Sequence, residues 1–280
     1  MQPVPTVIPS IPLGSGGSIP QLGLGTWPLD DAEVEKAIVR AVELGYRHVD
    51  TAAKYGNEVG VGRGVRHSGI PREQLFVTTK LDGTYQGDDR ALDGLGDSLE
   101  RLGLDYVDLL LIHWPLPGRD EYVSTWKTYE KLLAAGKARA IGVSNFKPAH
   151  IDRLIAETGT TPAVNQIQLN PAVTRREQRR YDTEHGIVTE SWSPLGAGSD
   201  LLQSPVLARI AEKHQKTPGQ VVLRWHLDNG LVAIPKSKTP ERLAENIDVF
   251  DFALDADDHA AIDTLDQGPD AGVDSDRSGH

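Results

Sequence analysis

The sequence predicts a (β/α)₈ barrel, and two observations lead to it. Short apolar runs alternate with amphipathic stretches from one end of the chain to the other. Eight of these runs have the length of a strand, and several are almost continuously apolar, as expected for parallel strands covered by helices. Eight such units in about 250 residues are typical of this barrel. A doubly wound parallel sheet is the alternative that the pattern leaves open.

The first helix is the clearest element. Asp30 can cap its start, Glu33 can reach back to the cap, and apolar residues recur with helical spacing until Gly45. Four further helices are predicted over residues 91–102, 124–135, 149–157 and 175–185. The eight predicted strands cover residues 22–26, 46–50, 75–80, 107–113, 140–144, 164–167, 187–192 and 231–234.

Several segments lie outside the eight units. Residues 8–20 resemble a β-hairpin turning at Ser15-Gly16-Gly17, and an extra helix is predicted after Asp255. A polar tail follows over residues 266–280. Because no linker interrupts the pattern, we expect residues 1–280 to form a single barrel domain with an N-terminal β-hairpin, extra helices and a C-terminal tail.

The composition narrows the kind of partner. The formal net charge is −11, which disfavours nucleic acid and anionic membranes. The chain has no cysteine, no signal-peptide pattern and no apolar run long enough to span a bilayer. We therefore expect a soluble, cytoplasmic protein that acts on a small molecule.

Functional groups close the predicted strands, where barrel enzymes keep their sites. No pair of strand-end carboxylates suggests glycoside hydrolysis, no His/Asp/Glu cluster has metal-ligand spacing, and no G-x-S-x-G elbow occurs. No metal site is therefore predicted, and acid–base chemistry by a tyrosine remains. The strand-end residues are Thr26, Trp27, Asp50, Lys80, His113, Ser144, Asn145, Gln166, Trp192, Ser193 and Lys236.

Tyr55 follows Asp50 closely and is the candidate proton donor. A phenol has a pKa near 10 and needs a neighbouring ammonium to favour its ionised form, and a buried lysine needs a carboxylate to stay charged. Asp50, Lys80 and Tyr55 meet both requirements, because the carboxylate can keep the lysine charged and the lysine can favour the phenolate. His113 can hydrogen-bond a substrate oxygen. Such a site requires a hydride from an outside donor.

Five segments together resemble the aldo-keto reductase family, most closely its prokaryotic 2,5-diketo-D-gluconate reductases. Residues 49–58 match its first signature, 111–115 its histidine motif and 142–146 with Asn165-Gln166 its nicotinamide-contact strands. Residues 234–237, with Arg242 and Asn246, match its phosphate and adenine site. The resemblance runs in order from about residue 20 to 265.

The resemblance implies a role for each matching residue. Tyr55 is the implied general acid, Lys80 and Asp50 tune its pKa, and His113 orients the substrate. The implied NADPH contacts are Ser144, Asn145 and Gln166 at the nicotinamide carboxamide, Trp192 on the nicotinamide ring, Leu195 and Gly196 near the pyrophosphate, and Lys236, Ser237, Lys238, Arg242 and Asn246 at the phosphate and adenine. The implied walls of the substrate pocket are Trp27 and Trp114, and the C-terminal tail over residues 266–280 is implied to lie near that pocket. Thr239 stands where the family often has arginine.

The resemblance therefore implies a monomeric enzyme that reduces small aldehydes, ketones, diketones or keto-sugars to alcohols with NADPH. One alternative is a regulatory barrel that binds NADPH without turnover; the presence of both Tyr55 and Lys80 disfavours it. Another is a lyase or isomerase barrel without nicotinamide, for which the cations Lys236 and Arg242 would have no use.

Overall fold

A computed structural model describes residues 7–280; the first six residues of the predicted domain lie outside the described part. Eight parallel strands hydrogen-bond in chain order, and each is followed by at least one helix. The eight strands are β3 (Leu24–Gly25), β4 (His48–Asp50), β5 (Phe76–Leu81), β6 (Val107–Ile112), β7 (Ala138–Ser144), β8 (Val164–Gln168), β9 (Val188–Trp192) and β10 (Val232–Ala233).

The sheet closes on itself between its first and last strands. The Gly23 N–H donates to the Ala233 carbonyl at 2.9 Å, and the Gly25 N–H donates to the Pro235 carbonyl at 3.1 Å. Parallel bridges join Leu22 to Ala233 and Gly25 to Lys236. The predicted barrel is therefore confirmed, and the doubly wound sheet is excluded because an open sheet has two free edges.

Ten α-helices surround the strands within the described residues. The first helix has the predicted capping box: the Asp30 side chain accepts from the Glu33 N–H, and Gly45 ends the helix with a φ of 113°. The helices are α1 (Asp31–Leu44), α2 (Glu58–His67), α3 (Asp88–Leu102), α4 (Tyr122–Ala134), α5 (Pro148–Thr158), α6 (Arg176–Glu184), α7 (Pro205–His214), α8 (Pro218–Asp228), α9 (Pro240–Ile247) and α10 (Ala256–Asp263).

The predicted hairpin closes the amino-terminal end of the barrel. Its strands β1 (Ser10–Pro12) and β2 (Ser18–Pro20) are antiparallel, and Gly16 and Gly17 take the positive φ values that the turn requires. Ile19 is fully buried and packs in one apolar cluster with residues of five barrel strands, among them Leu109 and Val188. The opposite, carboxyl-terminal mouth is therefore the end left for a site.

Some strands are shorter than predicted because the first residues predicted for them are hydrogen-bonded to the end of the preceding helix. The Tyr46 N–H donates to the Ala41 carbonyl and the Leu231 N–H to the His226 carbonyl, both at 3.0 Å. These bonds finish the last turns of α1 and α8. The strands β4 and β10 consequently begin only at His48 and Val232.

The tail crosses the carboxyl-terminal mouth. The Val273 N–H donates to Gln168 Oε1 at 2.7 Å, and Lys147 Nζ lies 2.6 Å from Asp274 Oδ1. At its end the Gly83 N–H donates to the His280 carbonyl oxygen at 2.9 Å. Among the described residues, no helix is sufficiently long and apolar to cross a membrane.

Candidate active site

The largest set of predicted site residues lines one cavity of about 490 Å³ at this mouth. The size is typical of a small-molecule site. Because the carboxyl ends of all eight strands meet there, residues more than a hundred positions apart in sequence become neighbours. The predicted residues on its wall are Trp27, Asp50, Tyr55, His113, Trp114, Ser144, Asn145, Gln166, Trp192, Leu195 and Lys236.

Lys80 lies beneath this cavity, fully buried at the end of β5. Its Nζ donates to Asp50 Oδ1 at 2.5 Å, to the Thr51 carbonyl at 2.9 Å and to the Tyr55 hydroxyl at 3.4 Å. All three ammonium hydrogens therefore have a partner. Tyr55 and Asp50 both line the cavity, whereas Lys80 lies behind them.

A buried asparagine anchors the loop that carries Tyr55. Asn57 Nδ2 donates to the carbonyls of Thr26 and Leu29, and its Oδ1 accepts from Thr51 Oγ1 at 3.0 Å. These bonds join the loop after β4 to the loop after β3. Tyr55 itself ends a short 3₁₀ turn. Its position is therefore fixed by that turn on one side and by the Asn57 hydrogen bonds on the other.

The electrostatics of the buried pair keep Lys80 charged. Burial by itself would lower the pKa of Lys80, but the Asp50 carboxylate and Tyr55 outweigh it and the pKa is raised. Burial raises the pKa of Tyr55 above its usual 10, and the Lys80 ammonium acts in the opposite direction. Tyr55 is consequently a protonated phenol near neutral pH, in contact with a cation that stabilises its ionised form.

His113 is the neutral hydrogen-bonding group of the cavity. Burial, followed by the charge of Lys80, holds the pKa of His113 well below its usual 6.5. Its ring lies edge-on to the Tyr55 ring with centroids 5.8 Å apart. A neutral imidazole beside a phenol can donate a hydrogen bond to the same substrate oxygen that receives the proton of the phenol.

The residues predicted to contact nicotinamide form a connected hydrogen-bond network. Asn145 Nδ2 donates to the His113 carbonyl and to Ser144 Oγ, both at 3.0 Å, and Asn145 Oδ1 accepts from Trp192 Nε1 at 2.9 Å. Asn145 has a φ of 64°, a left-handed conformation that asparagine tolerates better than most residues. Both side-chain N–H groups of Asn145 are engaged by His113 and Ser144, which suits a residue that orients its neighbours.

Gln166 has an amide that is oriented by two acidic side chains. Its Nε2 donates to Asp50 Oδ2 at 2.8 Å and to Glu190 Oε2 at 2.9 Å. Both amide hydrogens are therefore engaged, and Oε1 is the atom left for a ligand.

The predicted phosphate residues lie on the segment after β10, and only Lys236 among them reaches the cavity wall. Arg242 is exposed in the first turn of α9, whereas Ser237 and Asn246 are buried. Lys238 Nζ lies 2.5 Å from Glu33 Oε1, so its charge is paired with α1. Gly196 is buried in the loop after β9 and, unlike Leu195, does not line the cavity.

Sequence reasoning missed Lys54 and Glu190, and it placed His280 at the cavity only as part of the tail. Lys54 and His280 line the cavity wall, and the His280 ring lies 4.8 Å from the His113 ring, centroid to centroid. Glu190 is fully buried beneath the cavity. A glutamate inside a strand predicted to be buried was the available signal for Glu190. No local pattern indicates the other two, whose positions depend on the fold.

A parallel barrel with a buried carboxylate–ammonium–phenol chain at its carboxyl-terminal mouth defines an acid–base site. The Aldo/keto reductase family model matches residues 19–267. An aldo-keto reductase of Mycolicibacterium smegmatis is 50% identical over 266 residues, which cover 95% of this chain and 96% of that protein. The chain belongs to the aldo/keto reductase family, as its motifs predicted.

Two further comparisons agree with this assignment. Methylglyoxal reductase DkgA of Escherichia coli K12 is 49% identical over 278 residues, which cover 98% of each protein. The crystal structure of a mutant of Gox0644 in complex with NADPH has a TM-score of 0.93 and 44% identity. That comparison covers 98% of this chain and 100% of the other.

Proposed function

We propose that this protein reduces small aldehydes, ketones and dicarbonyl compounds to alcohols with NADPH, and that Tyr55 is the general acid. The observation that carries the proposal is Tyr55, which lines the cavity and whose hydroxyl contacts the Lys80 ammonium that Asp50 holds. The family membership and the NADPH complex of Gox0644 support the choice of reaction and cofactor.

The residues present fit NADPH. Gln166 has only its Oε1 free, which suits the N–H of a carboxamide, and the half-buried ring of Trp192 offers an apolar face beside it. Lys236 and Arg242 supply positive charge near the start of α9, where a helix amino-terminus also favours an anion. When bound, NADPH supplies the hydride.

The protein's own groups handle the carbonyl oxygen. His113 donates a hydrogen bond to that oxygen and fixes its direction, and Tyr55 gives it a proton as the carbonyl carbon becomes saturated. The alcohol then leaves with the phenol proton on its oxygen. Lys80 stabilises the phenolate that remains on Tyr55 until solvent returns a proton.

The cavity favours small substrates. Trp27 and Trp114 stand on its wall, as proposed from the resemblance, and the Trp27 side chain is 62% exposed at the rim. A bound nicotinamide would take part of the 490 Å³, which limits the size of the second molecule. Methylglyoxal, the compound in the name of DkgA, is therefore the first substrate to try.

Steady-state NADPH consumption with methylglyoxal, simple aldehydes, diketones and keto-sugars tests the proposal. We expect turnover with at least one class and little or none with NADH at the same concentration. Tryptophan fluorescence in parallel reports NADPH binding. NADPH binding without turnover on any carbonyl would favour the regulatory alternative, and absence of NADPH binding would overturn the proposal.

A further inference from the structure

Glu190 is a buried carboxyl that the catalytic scheme does not use. It lies on β9, directly opposite Gln166 of β8 in the register of the parallel pair. It has no exposed surface and does not line the cavity. Burial of an acid costs folding free energy unless the acid is neutral or has hydrogen-bond partners. The position of Glu190, beneath the proposed cofactor contacts, therefore requires an explanation.

The amide of Gln166 is the only side-chain group that donates to Glu190 within the described residues. Its two N–H groups are divided between Asp50 Oδ2 and Glu190 Oε2, at 2.8 and 2.9 Å. A flipped amide would point its oxygen at two carboxyl oxygens and lose both bonds. The two acids together therefore define which end of the amide is free. Without Glu190, only the bond to Asp50 would oppose rotation.

The charge around Glu190 indicates its protonation state. Burial and the neighbouring Asp50 raise the pKa of Glu190 to about 8, while Gln166 and Lys80 act in the opposite direction. His48 Nε2 lies 3.6 Å from Glu190 Oε1, and burial lowers the pKa of His48 to about 3. Glu190 is therefore a neutral carboxylic acid near pH 7, with its proton on Oε1, because Oε2 accepts from Gln166. A glutamine at this position would keep the neutral charge, the size and an acceptor oxygen.

We infer that Glu190 is a positioning residue: it holds the Gln166 amide so that Gln166 presents Oε1 to the nicotinamide carboxamide. The inference rests on the proposed function, because it requires NADPH in this cavity. Its effect is confined to the nicotinamide half of the cofactor. The adenine and phosphate contacts lie on a different segment, after β10, and do not touch Glu190.

Two substitutions and two ligands separate this role from a merely structural one. Glu190→Leu removes the acceptor and keeps an apolar volume, whereas Glu190→Gln keeps the acceptor. NADPH contains the nicotinamide, and adenosine 2′,5′-bisphosphate contains only the adenine and phosphate portion. Tryptophan fluorescence with NADPH, and competition by the bisphosphate, give both dissociation constants.

We expect Glu190→Leu to raise the NADPH dissociation constant about 10-fold, the scale of one lost hydrogen bond, and to leave that of the bisphosphate unchanged. Glu190→Gln should bind NADPH within about 3-fold of the parent chain. Should Glu190→Leu not fold, Glu190→Ala makes the same comparison. Equal weakening of both ligands, no weakening of NADPH, or failure of glutamine to rescue would each overturn the inference.

Asp182 provides a matched control, since it is also a fully buried carboxyl beside β9. It accepts from Thr189 Oγ1 at 2.9 Å and from Gln178 Nε2 at 2.8 Å, outside the cavity. Asp182→Asn should lower the melting temperature without changing the ratio of the two dissociation constants. Weak NADPH binding by the parent chain would instead count against the proposed function, so the two failures are distinguishable.

Discussion

At the scale of single residues, the decisive contact joins the Lys80 ammonium to Tyr55. Lys80 is held by Asp50 and by the Thr51 carbonyl, so its third hydrogen can point only at the phenol. A cation fixed in this way lowers the cost of removing the phenol proton without becoming a proton donor itself. These contacts support the proposal that Tyr55 is the acid and that Lys80 adjusts its pKa.

Lys80→Met is expected to fold but to be nearly inactive, because methionine keeps most of the apolar volume and removes the charge. Asp50 would lose its partner in a buried site, an imbalance that costs about 3 kcal/mol of stability. Circular dichroism and steady-state NADPH consumption measure the two effects. A folded variant with the parent rate would show that the ammonium has no part in proton transfer.

Sequence reasoning found these residues because each one closes a strand or follows one closely, and the closed barrel brings strand ends together. It did not find Glu190, because that residue lies inside a strand. The alternation of side chains along a strand shows only which face of the sheet a residue is on. The partners of Glu190, Asp50 and Gln166, are 140 and 24 positions away. Their hydrogen bonds follow from barrel closure, which no local pattern encodes.

At the scale of elements, the segment from β10 into α9 concentrates positive charge in an otherwise acidic chain. Lys236 stands on the cavity wall, and Arg242 lies in the first turn of α9. Lys238 is already paired with Glu33. We therefore propose that Lys236 and Arg242 recognise the 2′-phosphate that distinguishes NADPH from NADH.

Charge-assisted hydrogen bonds contribute about 1.5–3 kcal/mol each, so two of them give a preference for NADPH of at least about 100-fold at low salt. Lys236→Ala or Arg242→Ala should raise the NADPH dissociation constant about 10-fold and leave that for NADH nearly unchanged. Lys36→Ala, at an exposed position of α1, is the control for charge alone. Fluorescence titration with both cofactors measures the constants. If the parent chain binds NADPH and NADH with equal affinity, the threonine at position 239 has removed the selectivity of the site for the 2′-phosphate.

The tail is the second element with a specific expectation, since His280 meets the rings of His113 and Trp114. Removing residues 271–280 should change the KM of different carbonyls unequally while NADPH affinity stays the same. His280→Ala should show part of this effect. Equal effects on every substrate, together with lost NADPH affinity, would indicate a structural tail.

Element positions were largely predictable, and their contacts were less so. The capping box at Asp30 and the turn at Gly16-Gly17 are local and were readable from neighbouring residues. The tail is held by Lys147 and Gln168, which are more than a hundred positions away. Such contacts depend on the finished barrel, so the sequence predicted where the tail lies only through the family resemblance.

At the scale of the whole molecule, burial of an acid in the barrel makes folding depend on pH. The pKa of Glu190 is raised from 4.5 to about 8, so the folded protein holds a proton that the unfolded chain releases near 4.5. This stabilisation is complete below pH about 4.5 and is lost as the pH rises through about 8.

The melting temperature of the parent chain should therefore fall more between about pH 5 and pH 8 than that of Glu190→Gln, which has no proton to lose. Thermal unfolding followed by circular dichroism at three pH values measures the difference. Parallel curves for the two proteins would contradict a raised pKa at Glu190.

Single turnover with Tyr55→Phe tests the general acid most directly, because phenylalanine keeps the ring and removes only the proton. Enzyme preloaded with NADPH is mixed with a carbonyl substrate that the parent chain reduces, and the nicotinamide absorbance is followed in a stopped-flow instrument. Both proteins should bind NADPH with the same affinity, and the variant should oxidise it at least about 100-fold more slowly. A variant that oxidises NADPH near the parent rate would contradict the assignment of Tyr55 as the acid.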